Sequence, residues 1–561
     1  MAGGLDLGMV AGKSALMTTQ NQISIVSNNV ARANDPYYHR QTSSVDPNIT
    51  VLGDSGYYGT GVHIAQIVRQ YDVALESSLR GAKCDTGYSQ AYYNQIGRME
   101  DILAPGGDDQ LNSTIQAFAN NAQAVASNPE ELANRVALIT SAETLADKFN
   151  QNYENLSQLR NYIADNNATG TGAITTGLND VKGLLQQIPE LNKKIMALES
   201  NAFRNQKAND LRDERDKIVS QISEYIDISV REESDTRYTI TCDGNTLING
   251  TYSPQLGADY LEVSMTNTPP SPHYVPSIVL HSDNTTTVNL TDGKIKGYQD
   301  AHTYISGKMD KLYSYAQNYG DSLAYPADNW EGATAYVAGN TIRPVPANGY
   351  VYSIEAGDAG TTAAGQPVWP TTVGGTVADG TATWTCLGKF STVNSAHMSG
   401  YDLNGDPGAK LFSTSATQPA SGNILTVSIS DPKKVAASSI GDETAADPST
   451  AVQKGNGENM LAMWSEMSDD SAPNPALDGE SILNYANRYL SDVSTDVAIA
   501  KNNFNSSENI QNMFQNAVNE VSGVSMDAEM TEMLELQRSY QAAAKLINTI
   551  DQMMSMVLGM F

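Results

Sequence analysis

Asp213 and Asp216 stand one helical turn apart with Arg215 between them, and two carboxylates at that spacing could share the work of a general acid and base. The commoner use of such a group is ion pairing along the exposed face of a helix, and that is the reading adopted. The six histidines, His39, His63, His273, His281, His302 and His397, show no H-E-x-x-H or other ligand spacing. There is no G-x-S-x-G elbow and no P-loop. Asp402-Leu403-Asn404-Gly405-Asp406 has the alternating oxygens of a calcium loop, but its glycine is fourth rather than sixth, and Ser413 stands where the bidentate Glu belongs. No catalytic, cofactor or metal site is expected, and the chain reads as a non-enzyme.

Sulfur chemistry is equally sparse. Cys84, Cys242 and Cys386 are odd in number and far apart, with no C-x-x-C pair, so they signal neither a disulfide framework nor a zinc site. They read as buried apolar fillers.

One group of residues could bind rather than react. Trp330, Trp369 and Trp384 fall with Tyr336, Tyr350 and Tyr352 among turns such as Gly339-Asn340, Asn348-Gly349 and Asp379-Gly380. Residues 327–389 read as a compact all-β module, similar to small aromatic-rich modules of chitin-binding type and of phage tail and other surface proteins. The three tryptophans are candidate glycan contacts, which would make the chain a carbohydrate-binding surface adhesin. The favoured reading is that so small a domain needs these rings for its own core.

The elements around these groups show their periods plainly. Met526, Met533, Tyr540, Ile547, Met554 and Phe561 recur every seventh residue, with Leu536, Ala543, Ile550 and Val557 as a second seam. Met9, Leu16, Ile23 and Val30 form a matching series near the other end, beside a weaker one of Leu5, Gly12, Thr19, Val26 and Ala33. These are a/d stripes of terminal coiled-coil helices. The apolar area one seam can bury falls short of the conformational entropy of ordering both helices. The ends are therefore expected to fold as they dock among neighbouring subunits. Ser525 is the expected cap of the last helix, with Asp527 and Glu529 at its N-terminal dipole.

The first helix, 5–33, should stop at Asn34-Asp35-Pro36, because the residue before proline is pushed out of the α region. A loop or extended stretch to about 70 follows. Helical periods then run from 71 to 226, broken at Pro105-Gly106-Gly107, Asn128-Pro129 and 166–172. After 226 the period becomes two, with a hairpin turn at Asp243-Gly244; a helix near 296–318 interrupts the β material, and helices return from 456. The expected fold is multidomain α + β: 1–45 with 515–561 as a terminal coiled-coil axial domain, 46–227 with 456–514 as an elongated helical domain formed by both chain ends, 228–326 with 390–455 as an outer β-rich domain, and 327–389 as an inserted module.

With 561 residues, 34 basic and 63 acidic, the formal charge is −29, which disfavours nucleic acid as a partner. Charged residues are few and Asn, Gln, Ser and Thr abundant, the composition of an outer surface. No run of about 18 apolar residues is present, so no membrane insertion is expected. The N-terminus has neither the charged region, the apolar core nor the cleavage site of a Sec signal, so export would use another route.

Four segments in order carry a resemblance. Asn28-Asn29-Val30-Ala31-Arg32-Ala33-Asn34-Asp35-Pro36-Tyr37-Tyr38-His39-Arg40-Gln41 resembles the N-terminal signature of flagellar axial proteins. Val521-Ser522-Gly523-Val524-Ser525-Met526-Asp527, followed by Gln537, Tyr540, Gln541 and Ala544, resembles their C-terminal signature. Asn209-Asp210-Leu211-Arg212-Asp213-Glu214-Arg215-Asp216 and Gly400-Tyr401-Asp402-Leu403-Asn404-Gly405 are similar to internal elements of the hook-associated protein 1 family. Tyr37, where that family usually has glycine, Arg32 and Asp35 depart from the pattern.

The resemblance implies a structural subunit, exported unfolded through the flagellar channel with the help of a chaperone and assembling as an extracellular ring between hook and filament. Its partners would be further copies of itself, the hook protein and a second junction protein. The assembly interface expected from the heptads and the signature is Leu16, Ile23, Asn28, Asn29, Val30, Met533, Leu536, Gln537, Tyr540, Ile547, Ile550, Met554 and Val557.

Overall fold

The computed structural model describes residues 2–559 apart from 54–55, 105–109, 165–170, 201–205, 250–258, 268–273, 283–284, 321–327, 345–349, 355–358, 373, 390–392, 416, 442–447, 469–476 and 478–479. The breaks at Pro105-Gly106-Gly107 and most of 166–172, His273, Asn348-Gly349 and Phe561 lie outside the described residues. Helix and strand are mixed, with a long helix at each end. Helix α1 (Ala2–Ala31) stops as predicted, and the Asp35 side chain accepts the Tyr37 amide in the turn that follows. Strands β1 (Gln41–Pro47) and β4 (Val62–Arg69) then form an antiparallel hairpin from Gln41 opposite Arg69 to Pro47 opposite Val62. Its far end is a smaller ladder of β2 (Val51–Gly53) and β3 (Gly56–Tyr58). The stretch expected to be loop or extended is thus one long two-stranded arm.

Six helices follow: α2 (Val73–Leu103), α3 (Leu111–Ser127), α4 (Leu132–Ile163), α5 (Ala173–Leu185), α6 (Ile188–Glu199) and α7 (Asn209–Tyr225). Asp72 caps α2 by accepting the amides of Ala74 and Leu75. Strands β5 (Ser229–Glu232), β6 (Tyr238–Cys242) and β7 (Asn245–Ile248) form an antiparallel sheet. Asp243 and Gly244 turn between the last two, both at positive φ, as a two-residue hairpin demands. Strands β8 (Leu261–Asn267) and β9 (Tyr274–Leu280) pair next, and α8 (Lys294–Gln317) packs against α2.

One continuous core joins these parts. Phe118, Phe149, Tyr315, Tyr319 and Phe412 meet edge to face at 5.3–6.3 Å, and the same buried cluster runs from the helices into Tyr238, Ile240, Leu261, Ile278 and Leu425.

A second, separate cluster lies in strands β10 (Asp328–Asn329), β11 (Ala335–Tyr336), β12 (Thr341–Arg343), β13 (Tyr350–Ile354), β14 (Gly360–Thr361), β15 (Thr376–Asp379) and β16 (Ala382–Lys389). Five of them form a sheet in the order β10-β12-β13-β16-β15 around Ile342, Tyr352, Ile354, Ala382, Trp384 and Cys386. The chain then rejoins the main core through α9 (Val393–Met398), β17 (Phe412–Thr414), β18 (Leu425–Val427), α10 (Pro448–Ala451) and α11 (Glu458–Ser468). It closes with α12 (Ile482–Ser522), antiparallel along α2, and α13 (Met526–Leu558), which lies on α1. Ser525 precedes α13 but makes no side-chain cap bond, contrary to the expectation; the acidic residues of the first turn, Asp527 and Glu529, are in place.

The separateness of the second cluster is testable. Trp384→Ala should cost about 3–5 kcal/mol locally, so limited proteolysis should cut within 328–389 while the helical circular dichroism keeps its melting curve. A lowered melting temperature of the helices would show that the two clusters are coupled.

Candidate functional site

The segments 28–41, 209–216 and 521–527 converge on one buried polar junction. Asn29 is almost wholly buried, and all of its hydrogen-bonding capacity is met inside the chain. Its Nδ2 donates to the Gln41 carbonyl and to Glu529 Oε2, each at 2.9 Å; its Oδ1 accepts from the Tyr38 hydroxyl at 2.8 Å and the Gln41 amide at 3.0 Å. Asn29 was expected to reach a neighbouring subunit; instead it fastens α1 to α13 and to the hairpin root. Glu529, fully buried, also accepts Arg40 Nε at 2.5 Å, and Arg40 reaches on to Glu532.

Across the short segment that holds His39 and Arg40 stands Asp213. Its Oδ1 receives His39 Nδ1 and Arg69 Nη1, both at 2.7 Å, while His39 Nε2 lies 3.1 Å from Glu76. Arg69 also donates to Asp216 at 2.6 Å, and Asp216 accepts the Tyr238 hydroxyl at 2.7 Å. The guanidinium of Arg215 lies over the Tyr238 ring and donates to Asn192 Oδ1 and the Thr236 carbonyl. Arg212 makes a two-pronged bond with Glu199, whose carboxyl it lowers to about 2 against the effect of burial. Asp210 accepts from Arg32 and Gln41, and Asn209 donates to the Ile67 carbonyl. The segment 209–216 is therefore not a solvated ion-pair face: Asp213, Arg215 and Asp216 are all buried.

Electrostatics agree with the geometry. Burial disfavours a charged imidazole at His39, but its bonds to Asp213 and Glu76 outweigh that and raise its pKa from 6.5 to about 9. Both ring nitrogens then donate, which only the imidazolium can do. Burial and the facing carboxylates push the Tyr38 and Tyr238 hydroxyls well above the ordinary phenol range, so both stay protonated donors.

The fourth segment forms a separate knot. His397 is fully buried; its Nε2 accepts the Ala436 amide at 2.9 Å, so Nδ1 carries the proton and donates to the Ala409 carbonyl at 2.6 Å. Burial lowers its pKa to about 4. Asp402 Oδ1 accepts the amides of Asn404 and Asp406, closing the loop on itself. Among the described residues no group of three or more His, Cys, Asp or Glu is arranged to hold a metal ion. Cys84, Cys242 and Cys386 are all buried.

The heptad seams meet each other. A Cβ on Gly8 would lie 3.2 Å from Ile550 Cδ1, and one on Gly12 3.0 Å from Ile547 Cγ1, so α1 and α13 touch closely at the two glycines. Ile550 is buried, and Leu16, Ile23, Val30, Met533, Leu536, Tyr540, Ile547, Met554 and Val557 are half-buried; Asn28 and Gln537 are exposed. The seam expected to face other subunits is largely used within the chain. What remains open is Met526 at the start of the seam and, flanking it, Met530, Leu534 (55% exposed), Leu546, Met553 and Met556 (67%) on α13, with Val10 and Met17 on α1. These flanking apolar residues were legible only by counting the positions beside the seam.

Of the candidate glycan contacts, Trp384 is fully buried and has no face to offer a sugar. Trp330 Nε1 donates to Asp379 at 2.6 Å and Trp369 packs on Tyr352 at 4.5 Å, so both belong to the edge of the second core.

The description "Flagellar hook-associated protein FlgK helical domain" matches residues 96–325, and "Flagellar basal body rod FlgEFG protein C-terminal" matches 515–560. Flagellar hook-associated protein 1 of Salmonella typhimurium is 24% identical over 97% of this chain and 98% of its own length. The protein of the same name from Bacillus subtilis is 23% identical over 99% and 98%. The flagellar hook junction protein FlgK from Burkholderia pseudomallei superposes with a TM-score of 0.49 at 14% identity, over 79% of this chain and 100% of that one.

Two outcomes follow for the junction. Asp213→Asn leaves Arg69 and His39 short of a buried counter-charge and should cost about 3–5 kcal/mol in urea unfolding. Because the pKa of His39 is raised on folding, its contribution is complete below pH 6.5 and is lost as pH rises through about 9. The urea midpoint should fall across that window in the parent chain, and His39→Gln should flatten the fall.

Proposed function

We propose, from the premise that this chain belongs to the flagellar hook-associated protein family and is a structural component of the flagellum, that it forms a ring between hook and filament, held by its terminal helices. The observation that carries this reading is the apolar flank left on α13 after α1 has covered the heptad seam. Six large apolar residues on one terminal helix remain 42–67% exposed, which is costly unless another chain covers them.

In this reading the axial part is 1–45 with 515–561, carried by the helical part, 46–227 with 456–514. The β-rich part, 228–326 with 390–455, and the inserted module, 327–389, face outward. Copies of the chain meet through α1 and α13, with the hook protein below and a second junction protein above. The subunit travels unfolded through the flagellar channel, held beforehand by an export chaperone, without a cleavable signal. The terminal helices order as they pack. The carbohydrate-binding alternative has no support from the aromatic residues, whose faces serve the second core.

Leu534→Glu with Leu546→Glu places charge on the exposed flank without touching the seam. The doubly substituted chain should keep its urea midpoint, surface changes being worth about 0.5 kcal/mol or less. Cells carrying it should shed filaments from their hooks, as should cells lacking 526–561. Filaments that stay attached with the truncated chain would rule out the junction role.

A further inference from the structure

The tip of the long hairpin is an exposed apolar surface away from the terminal helices. Ile49 (88% exposed), Leu52 (68%) and Tyr57 (76%) stand in water together with Val51 and Tyr58. The tip is a two-stranded ladder of three residue pairs, and such a ladder is marginal in water without something to pack on. Among the described elements, none packs closely on these two strands but the strands themselves. The Asn48 amide donates to the Gly61 carbonyl, closing the ladder at its base, and three residues between Tyr58 and Val62 are too few for the tip to fold back over its own strands.

A groove of about 880 Å³ runs along the inner part of the same arm, between α1 and strand β4, from Gln41 at the root to Asn48 and Val62 at the base of the tip. Its apolar lining is Met17, Ile25, Val62, Ile64 and Ile67, and the rest is Ser, Thr, Asn, Gln, Ala and His63, with no Asp, Glu, Lys or Arg. The described residues of the tip, 48–53 and 56–60, include no charged side chain. In a chain with a net charge of −29, both surfaces are almost free of charge. A partner chosen by opposite charge would be met by acidic residues. Two surfaces cleared of charge suit a partner that carries the same excess of negative charge, because like copies can then approach without repulsion at the contact.

We infer that the hairpin tip of one copy seats in the α1–β4 groove of the next, with Leu52 and Tyr57 as its anchors. Two different patches meet, so the contact is heterologous and passes from copy to copy, closing into a ring where the rotation allows. The inference rests on the ring-forming reading above. It adds a second contact to the terminal helices and gives the arm a partner.

Cysteine pairs test it in hook-bearing structures isolated from cells that express the full chain, since the three native cysteines are buried. A disulfide needs Cβ atoms about 3.5–4.5 Å apart. Leu52→Cys with Met17→Cys in one chain should give, on oxidation, a ladder of linked copies at least tenfold above either single variant. Leu52→Cys with Leu534→Cys should give none. Rings that form without the first ladder, or with the second instead, would overturn the inference and leave the ring reading standing; absence of rings from the parent chain would overturn both. Leu52→Asp with Tyr57→Asp supplies an independent readout: its urea midpoint should match the parent while ring yield falls at least tenfold. Normal ring yield with a charged tip would also overturn the inference.

Discussion

Two carboxylates held out of water organise the place where the terminal helices meet the rest of this chain. Asp213 on α7 and Glu529 on α13 are buried, and a buried carboxylate persists as an ion only where cations and donors surround it. Both draw on neighbouring residues of one short link: His39 turns to Asp213 and Arg40 to Glu529. Successive residues of extended backbone point to opposite sides, so a link only two residues long can serve two helices that do not touch each other's charges. The link is thereby a strut between the helical body and the last helix.

Much of the surrounding structure follows from that strut. Gln41 opens the hairpin one residue later, and its ladder partner Arg69 returns to the same carboxylate, Asp213. The arm is thus stapled at its root by charge and open at its tip. Asn29, bridging the Gln41 carbonyl and Glu529, fixes where α1 leaves the junction and hence the register in which its glycines meet Ile547 and Ile550. The heptads supply the attraction between the terminal helices, and the junction supplies their alignment. Apolar stripes alone would tolerate a slide of one heptad; a buried Asn and Glu pairing at one position would not.

The sequence was most readable where a local rule acts alone. The stop at Pro36, the Asp243-Gly244 turn, the change from helical to strand period after 226 and the long terminal helices are each dictated by a few adjacent residues. Asn29 and the 209–216 segment were misread because their partners are distant in sequence: Glu529 lies 500 residues from Asn29, and Arg69 144 from Asp213. Spacing along a helix cannot distinguish a solvated ion-pair face from a buried one when the burying elements come from elsewhere. The Ser525 reading failed differently. A cap needs the hydroxyl turned to the helix, and residue type alone does not fix that rotamer. The continuity of the core from helices into strands was hidden for the same reason as the junction, since periodicity shows that a face is apolar but not which face covers it.

Tyr37 shows how the strut tolerates a departure. Where the resembling family has glycine, a left-handed turn would be free, but among the described residues Tyr37 is not one of those at positive φ, so its backbone needs no glycine. Its ring lies beneath the ammonium groups of Lys83 and Lys217, at 4.9 and 5.6 Å. Burial weakens the charge on Lys83, which also donates to Ser220, and an aromatic face compensates part of what water no longer supplies. The side chain that replaces glycine therefore extends the junction: it ties the start of the link to α2 and α7, two residues before His39 ties it to α7 again. A glycine at this position would leave both lysines to other partners and would return to the link the backbone freedom that the strut must suppress.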